Sequence, residues 1–81
     1  MLKFKKAMTV CVDKKYNIDV QHVIDHDMHT IGEHYVYLND DKVYIGFETK
    51  STIAEVAKTL KEKLYKVDLT IVGGTVFVKF I

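Results

Sequence analysis

The four histidines, His22, His26, His29 and His34, fall within 13 residues of one another, among Asp25, Asp27 and Glu33. On a helix, His22, His26 and His29 stand at i, i+4 and i+7 and share one solvent-facing edge. Two histidines at i and i+4 chelate a single zinc or nickel ion through imidazole nitrogens. A third ligand further along a straight helix reaches the same ion poorly, so a complete site needs another element or a second chain. Cys11 is a conceivable extra ligand, but no spacing places it there. The stretch lacks both the Cys/His spacing of a structural zinc motif and the glutamate of His-Glu-x-x-His. The leading reading is a solvated polar face, with no metal or cofactor assigned. A pH-sensitive acidic–histidine face and a metal-responsive site at His22, His26 and His29 are the alternatives.

Aromatic residues form the second group able to do chemistry. Residues 34 to 38 and 43 to 47 read as paired strands around the polar turn Asn39-Asp40-Asp41-Lys42. Pairing Leu38 with Val43 places Val36 with Ile45, and His34 with Phe47, on one face. Tyr35, Tyr37 and Tyr44 then occupy the other, with Tyr35 opposite Gly46, where an aromatic ring is expected to lie over the glycine. Phe77 from the last strand joins them. If helices cover one side of the sheet only, Tyr35, Tyr37, Tyr44 and Phe77 form an exposed binding face. Such a face anchors a protein interface or stacks single-stranded bases. Val43-Tyr44-Ile45-Gly46-Phe47 resembles the aromatic strand of RNA-recognition domains, without its Lys/Arg-Gly start or its following aromatic, and no residue role is carried over.

Catalytic signals are missing. There is no Gly-x-Ser-x-Gly, no phosphate-cradling glycine loop and no Cys–His pairing that spacing supports. The single serine, Ser51, sits at a helix start, and an Asp25–His29 pair at i, i+4 is a common by-product of helical spacing. The chain is read as a non-enzyme. All twelve basic residues are lysine. Without arginine's planar bidentate fork, sequence-specific DNA reading is disfavoured, while backbone binding is not. Lys3, Lys5, Lys6, Lys14 and Lys15 could meet phosphates, but strand alternation scatters the first three, and a solvated basic end is expected.

The elements that must position these residues follow from periodicity. Ile53, Val56, Ala57, Leu60 and Leu64 form one apolar stripe, predicting a helix over residues 52 to 65. Thr52-Ile53-Ala54-Glu55 matches a capping box, and Lys61, Lys63 and Lys66 suit the negative end of its dipole. Residues 67 to 72 and 75 to 81 flank Gly73-Gly74, predicting a hairpin that pairs Val72 with Thr75, Ile71 with Val76, Asp68 with Lys79 and Val67 with Phe80. Leu2, Phe4, Met8, Val10 and Val12 alternate as a first strand. Residues 18 to 31 fit a helix closed by Gly32, although Val20, Val23, Ile24, Asp25 and Asp27 are poor helix formers.

The order β-α-β-β-α-β-β predicts an α+β open-faced sandwich, ferredoxin-like, with an extra C-terminal strand. The alternative is one helix on a curled antiparallel sheet. Eighty-one residues make one domain, 1–81, with 48% apolar and 28% charged residues and a net charge of +1. That composition excludes disordered and histone-like chains. No apolar run approaches a membrane span, the N-terminus lacks a secretory pattern, and the lone Cys11 fits a reducing compartment, hence a cytoplasmic placement. Charge is bipolar: +4 over residues 1 to 17, −6 over 18 to 48 and +3 over 49 to 81. Such asymmetry orients a charged partner or drives self-association.

These features predict a small cytoplasmic protein-binding module. Lysine without arginine fits an AT-rich genome, and with it a phage- or plasmid-borne regulator or inhibitor of a host factor. A homodimer through an exposed edge at Thr75 to Ile81 is also expected. The alternatives are a single-stranded nucleic-acid binder, disfavoured by charge, and a metal-responsive protein. No membrane partner is expected.

Overall fold

The hairpin over residues 67 to 80 forms in the register that side-chain alternation dictates, and the one over residues 35 to 47 does so from its turn as far as Tyr35, where a bulge displaces the expected His34–Phe47 pair. A computed structural model describes residues 6–28 and 30–81. Leu2, Phe4, Lys3, Lys5 and His29 lie outside them. The elements run β1 (Lys6–Asp13), a single 3₁₀ turn (Lys14–Tyr16), α1 (Asn17–Asp27), β2 (Thr30–Asn39), β3 (Lys42–Thr49), α2 (Ile53–Lys63), β4 (Val67–Val72) and β5 (Thr75–Phe80). The five strands make one mixed sheet ordered β2-β3-β1-β5-β4. β1 is antiparallel to β3 and parallel to β5.

This α+β architecture keeps the expected element order but not the ferredoxin-like strand order. β5 inserts between β1 and β4, where a four-stranded ferredoxin-like sheet has the fourth strand itself against the first. The reason is burial. Val76 and Val78 are buried, and Phe77 between them is apolar, which suits an interior strand. β4 carries the exposed Asp68 and Thr70, which suit an edge. Thr75 to Ile81 is therefore not an exposed edge, and the dimer expected there loses its basis. The edges are β2 and β4.

One core lies between the sheet and both helices. Met8, Val10 and Val12 of β1, Val43, Ile45 and Phe47 of β3, and Val76 and Val78 of β5 face Val20, Val23 and Ile24 of α1 and Val56 and Leu60 of α2. Two helices on one sheet exclude the single-helix alternative. α2 starts on the capping box. Glu55 N–H donates to Thr52 Oγ1 at 3.2 Å, and Thr52 N–H donates to Glu55 Oε1 at 2.8 Å. At its far end Lys61 Nζ donates to the Val67 carbonyl at 3.1 Å.

α1 is shorter than the sequence pattern implies. It stops at Asp27, and Met28 is extended. Thr30 and Ile31 are drawn into β2, where they pair with Thr49 and Glu48. The positive φ of Gly32, +74°, lies in the β-bulge between Ile31 and Tyr35 rather than at a helix end. In the β4–β5 turn only Gly73 takes a positive φ, +60°. Gly74 contributes its carbonyl, which accepts from Thr9 N–H at 2.9 Å and joins the hairpin to β1. None of the helices among the described residues is long and apolar enough to cross a membrane.

Candidate functional site

Strand register sets the chemistry of the side of the sheet that the helices leave bare. Tyr37 pairs with Tyr44, Tyr44 with Cys11, Cys11 with Phe77, and Phe77 with Thr70. These pairings run one row of side chains across all five strands. Tyr37 and Tyr44 stack with ring centroids 5.3 Å apart and planes 6° from parallel. Cys11, flanked by Tyr44 and Phe77, is buried and is a free thiol. The Tyr44 phenol is held above the usual tyrosine range, first by its hydrogen bond to Cys11 and then by the closeness of that thiol. Tyr37 is 56% exposed and Phe77 38%.

Two residues further along, four of the five strands contribute a charged row, Lys42, Asp13, Lys79 and Asp68, with the neutral Asn39 on β2. Lys42 pairs in register with Asp13, and its ammonium contacts that carboxylate. This hydrogen bond holds the Lys42 ammonium above the usual lysine range. Asp68 stands opposite Lys79. The signs alternate across the sheet, so each cation has a carboxylate beside it.

On the other side of the aromatic row the side chains are small. Tyr35 pairs with Gly46, Gly46 with Thr9, Thr9 with Thr75, and Thr75 with Val72. Gly46, Thr9 and Thr75 floor a shallow trough of about 410 Å³, with Tyr35 and Glu48 at its sides. Tyr35 remains 72% exposed. Its nearest atoms to a Cβ built on Gly46 are its own Cβ and carbonyl oxygen, at 3.8 Å, so the ring does not lie across the glycine as the sequence implied. The face is thus a ridge of rings between a trough and a charge-neutral border.

Gly46 has extended backbone, and a Cβ built there would meet Tyr35 Cβ and O at 3.8 Å and Thr9 Oγ1 at 4.0 Å. Those are ordinary van der Waals separations, so alanine fits. Gly46→Ala is expected to raise stability by about 0.4–1 kcal/mol, because the unfolded chain loses freedom while the native strand is unstrained. Urea unfolding checks this; a lower midpoint would mean that the trough floor is tighter than its geometry implies.

Among the described residues, His22, His26 and His34 do not assemble into one cluster. His22 and His26 lie exposed on α1 with ring centroids 5.9 Å apart. His34 is on β2, where Nδ1 stands 3.4 Å from Asp25 Oδ1 and the ring packs 6.0 Å from that of Phe47. Cys11 is on the opposite side of the sheet from α1 and cannot join them. Among the described residues no group of three His, Cys, Asp or Glu side chains is placed to hold a metal ion.

Lys14 and Lys15 are exposed on the 3₁₀ turn, where Lys14 N–H donates to the Asp41 carbonyl at 2.8 Å. Tyr16 stacks on Phe80, centroids 3.9 Å apart, and belongs to the packing of the helix side. Sequence reasoning named the four rings but missed the row that joins three of them, Tyr37, Tyr44 and Phe77, and leaves Tyr35 beside the trough. Cys11 was the available signal, since it alternates with the core positions Val10 and Val12. Comparison with protein-family models and with curated proteins returns no match, so the face is read on its geometry alone.

Proposed function

We propose that this chain is a non-catalytic protein-binding module that docks a partner on the bare face of its sheet, in the manner of a small cytoplasmic regulator or inhibitor. The observation that carries this reading is the row Tyr37–Tyr44–Cys11–Phe77, three exposed or half-exposed rings aligned across the sheet. Aromatic side chains are large and lose few rotamers on binding, which is why they dominate interface energetics. The stacking of Tyr37 on Tyr44 restrains both rings before any partner arrives.

The bordering charges favour a protein over a nucleic acid. A strand laid along the rings would bring its phosphates against Asp13 and Asp68 as well as Lys42 and Lys79, and the gain from released counterions would be small. A protein surface with mixed polar groups meets no such penalty.

The test compares the native chain with Tyr44→Ala/Phe77→Ala, both checked for an unchanged melt. Cross-linking capture from the source cells should recover a protein whose yield falls at least about tenfold in the double variant, as expected when two interface rings are removed. Undiminished capture would overturn the reading. So would binding of single-stranded RNA or DNA that weakens with added salt.

A further inference from the structure

We propose that two copies of this chain associate through the outer edge of β2, paired antiparallel about a two-fold axis at Val36. This goes beyond the bare-face reading, because Val36 lies on the helix side of the sheet. The edge from residues 34 to 38 is His34-Tyr35-Val36-Tyr37-Leu38, a run without Asp, Glu, Lys or Pro. Edge strands usually carry such residues to block pairing with another chain. Both edges carry some: β2 has Glu33 and its bulge ahead of this run, and β4 has Asp68 within it and Lys66 at its entry, which leaves residues 34 to 38 as the longer uncharged stretch. β2 is also exposed on both sides. Tyr35 and Tyr37 project from the bare face, and on the helix side Val36 is 45% exposed and Leu38 59%.

Self-pairing is favoured over an arbitrary strand by what the two-fold places together. Antiparallel strands related by a two-fold axis must be centred on a residue, since hydrogen-bonding positions alternate. Centring on Val36 sets Val36 against Val36 of the second copy, Tyr35 against Tyr37, and His34 against Leu38. The flanking acids then meet neutral groups: Glu33 lies opposite Asn39, and Asp40 opposite Gly32. Centring on Tyr37 instead would set Glu33 against Asp41, a like-charge pair. With aromatic side chains of roughly 150–250 Å² each, the exposed parts of residues 35 to 38 with their backbone amount to about 500 Å² per copy. Edge pairing covers the strand-edge share of that surface and leaves the ring faces open, so the pair removes less than about 1,000 Å², the size of a weak interface. The product is one ten-stranded sheet whose bare faces lie on the same side.

Sedimentation equilibrium from about 5 μM to about 1 mM, a range suited to an interface of this size, should show the mass rising from 9.4 kDa towards twice that. Val36→Lys should weaken association at least about tenfold by setting two ammonium groups opposite each other. Ile71→Lys on β4 should not. Under oxidising conditions Val36→Cys should form an intermolecular disulfide, because directly opposed strand residues lie within disulfide reach. Leu38→Cys, facing His34, should do so far less.

A mass that stays monomeric throughout overturns the proposal. So does association that survives Val36→Lys, that is lost in Ile71→Lys, or that leaves Val36→Cys unlinked. Tyr44→Ala/Phe77→Ala should dimerise normally, so failure here and failure of the bare-face reading are read separately.

Discussion

Leu60→Ala is expected to remove about 2–5 kcal/mol of stability, the range for emptying a fully buried leucine site. Leu60 is completely buried in α2, within the core that seats this helix on β1, β3 and β5. A chain of this length has on the order of 4–12 kcal/mol in total, so the loss is a large share of what holds it folded. The melting temperature should fall by about 10 °C or more, since each kcal/mol shifts a domain of this size by about 4–8 °C. In urea the midpoint should drop with little change in slope. Tyr44→Ala, on the bare face, removes a ring that the core does not contain, and its effect on the midpoint should be much smaller. That contrast separates loss of the platform from loss of the docking surface. A Leu60→Ala penalty below about 1 kcal/mol would mean that α2 is not seated as its burial implies.

The parts of this fold legible in the sequence are those fixed by local chemistry. α2 has a one-sided apolar stripe and a capping box, and both constraints act within four residues. Gly73-Gly74 forces the β4–β5 turn, and a two-residue turn leaves one register, so Asp68 opposite Lys79 follows directly. Tyr35, Tyr37 and Tyr44 could be assigned to one face for the same reason, because a slip of one residue would have turned Val36 and Ile45 outwards.

The position of the second hairpin in the sheet is a different kind of fact. Either β4 or β5 satisfies the turn when placed against β1, and the choice depends on which strand the core covers. The consecutive apolar run Val76-Phe77-Val78 carried that information, whereas β4 alternates with Asp68 and Thr70. The mistaken edge at Thr75 to Ile81 came from treating the last strand in sequence as the last in space. The row through Cys11 became visible only once that order was known, because it needs β1 between β3 and β5.

α1 shows the opposite balance, and its response to mutation should differ from that of α2. Its sequence supplies little intrinsic helicity: Asn17, Asp19, Val20, Val23, Ile24, Asp25 and Asp27 all rank low. Its N-cap, Tyr16, makes no side-chain capping bond. Local support is limited to the Gln21 Nε2 to Asn17 Oδ1 hydrogen bond at 2.6 Å. The helix therefore exists because Val20 and Ile24 are completely buried, with Val23 and Met28 nearly so.

Ile24→Ala is expected to cost about 2–4 kcal/mol, with a mechanism Leu60→Ala does not share. Residues 17 to 27 should open locally, before the sheet does, because packing supplies most of what holds them helical. Amides of α1 should exchange at least about tenfold faster in the variant at low denaturant, while those of β1, β3 and α2 retain their protection relative to the global transition. Residues 30 to 34, which enter β2 through the bulge, should follow α1, since His34 Nδ1 lies 3.4 Å from Asp25 Oδ1. Uniform loss of protection across the whole chain would show that α1 and the sheet unfold as one unit, and that burial of Ile24 stabilises both equally.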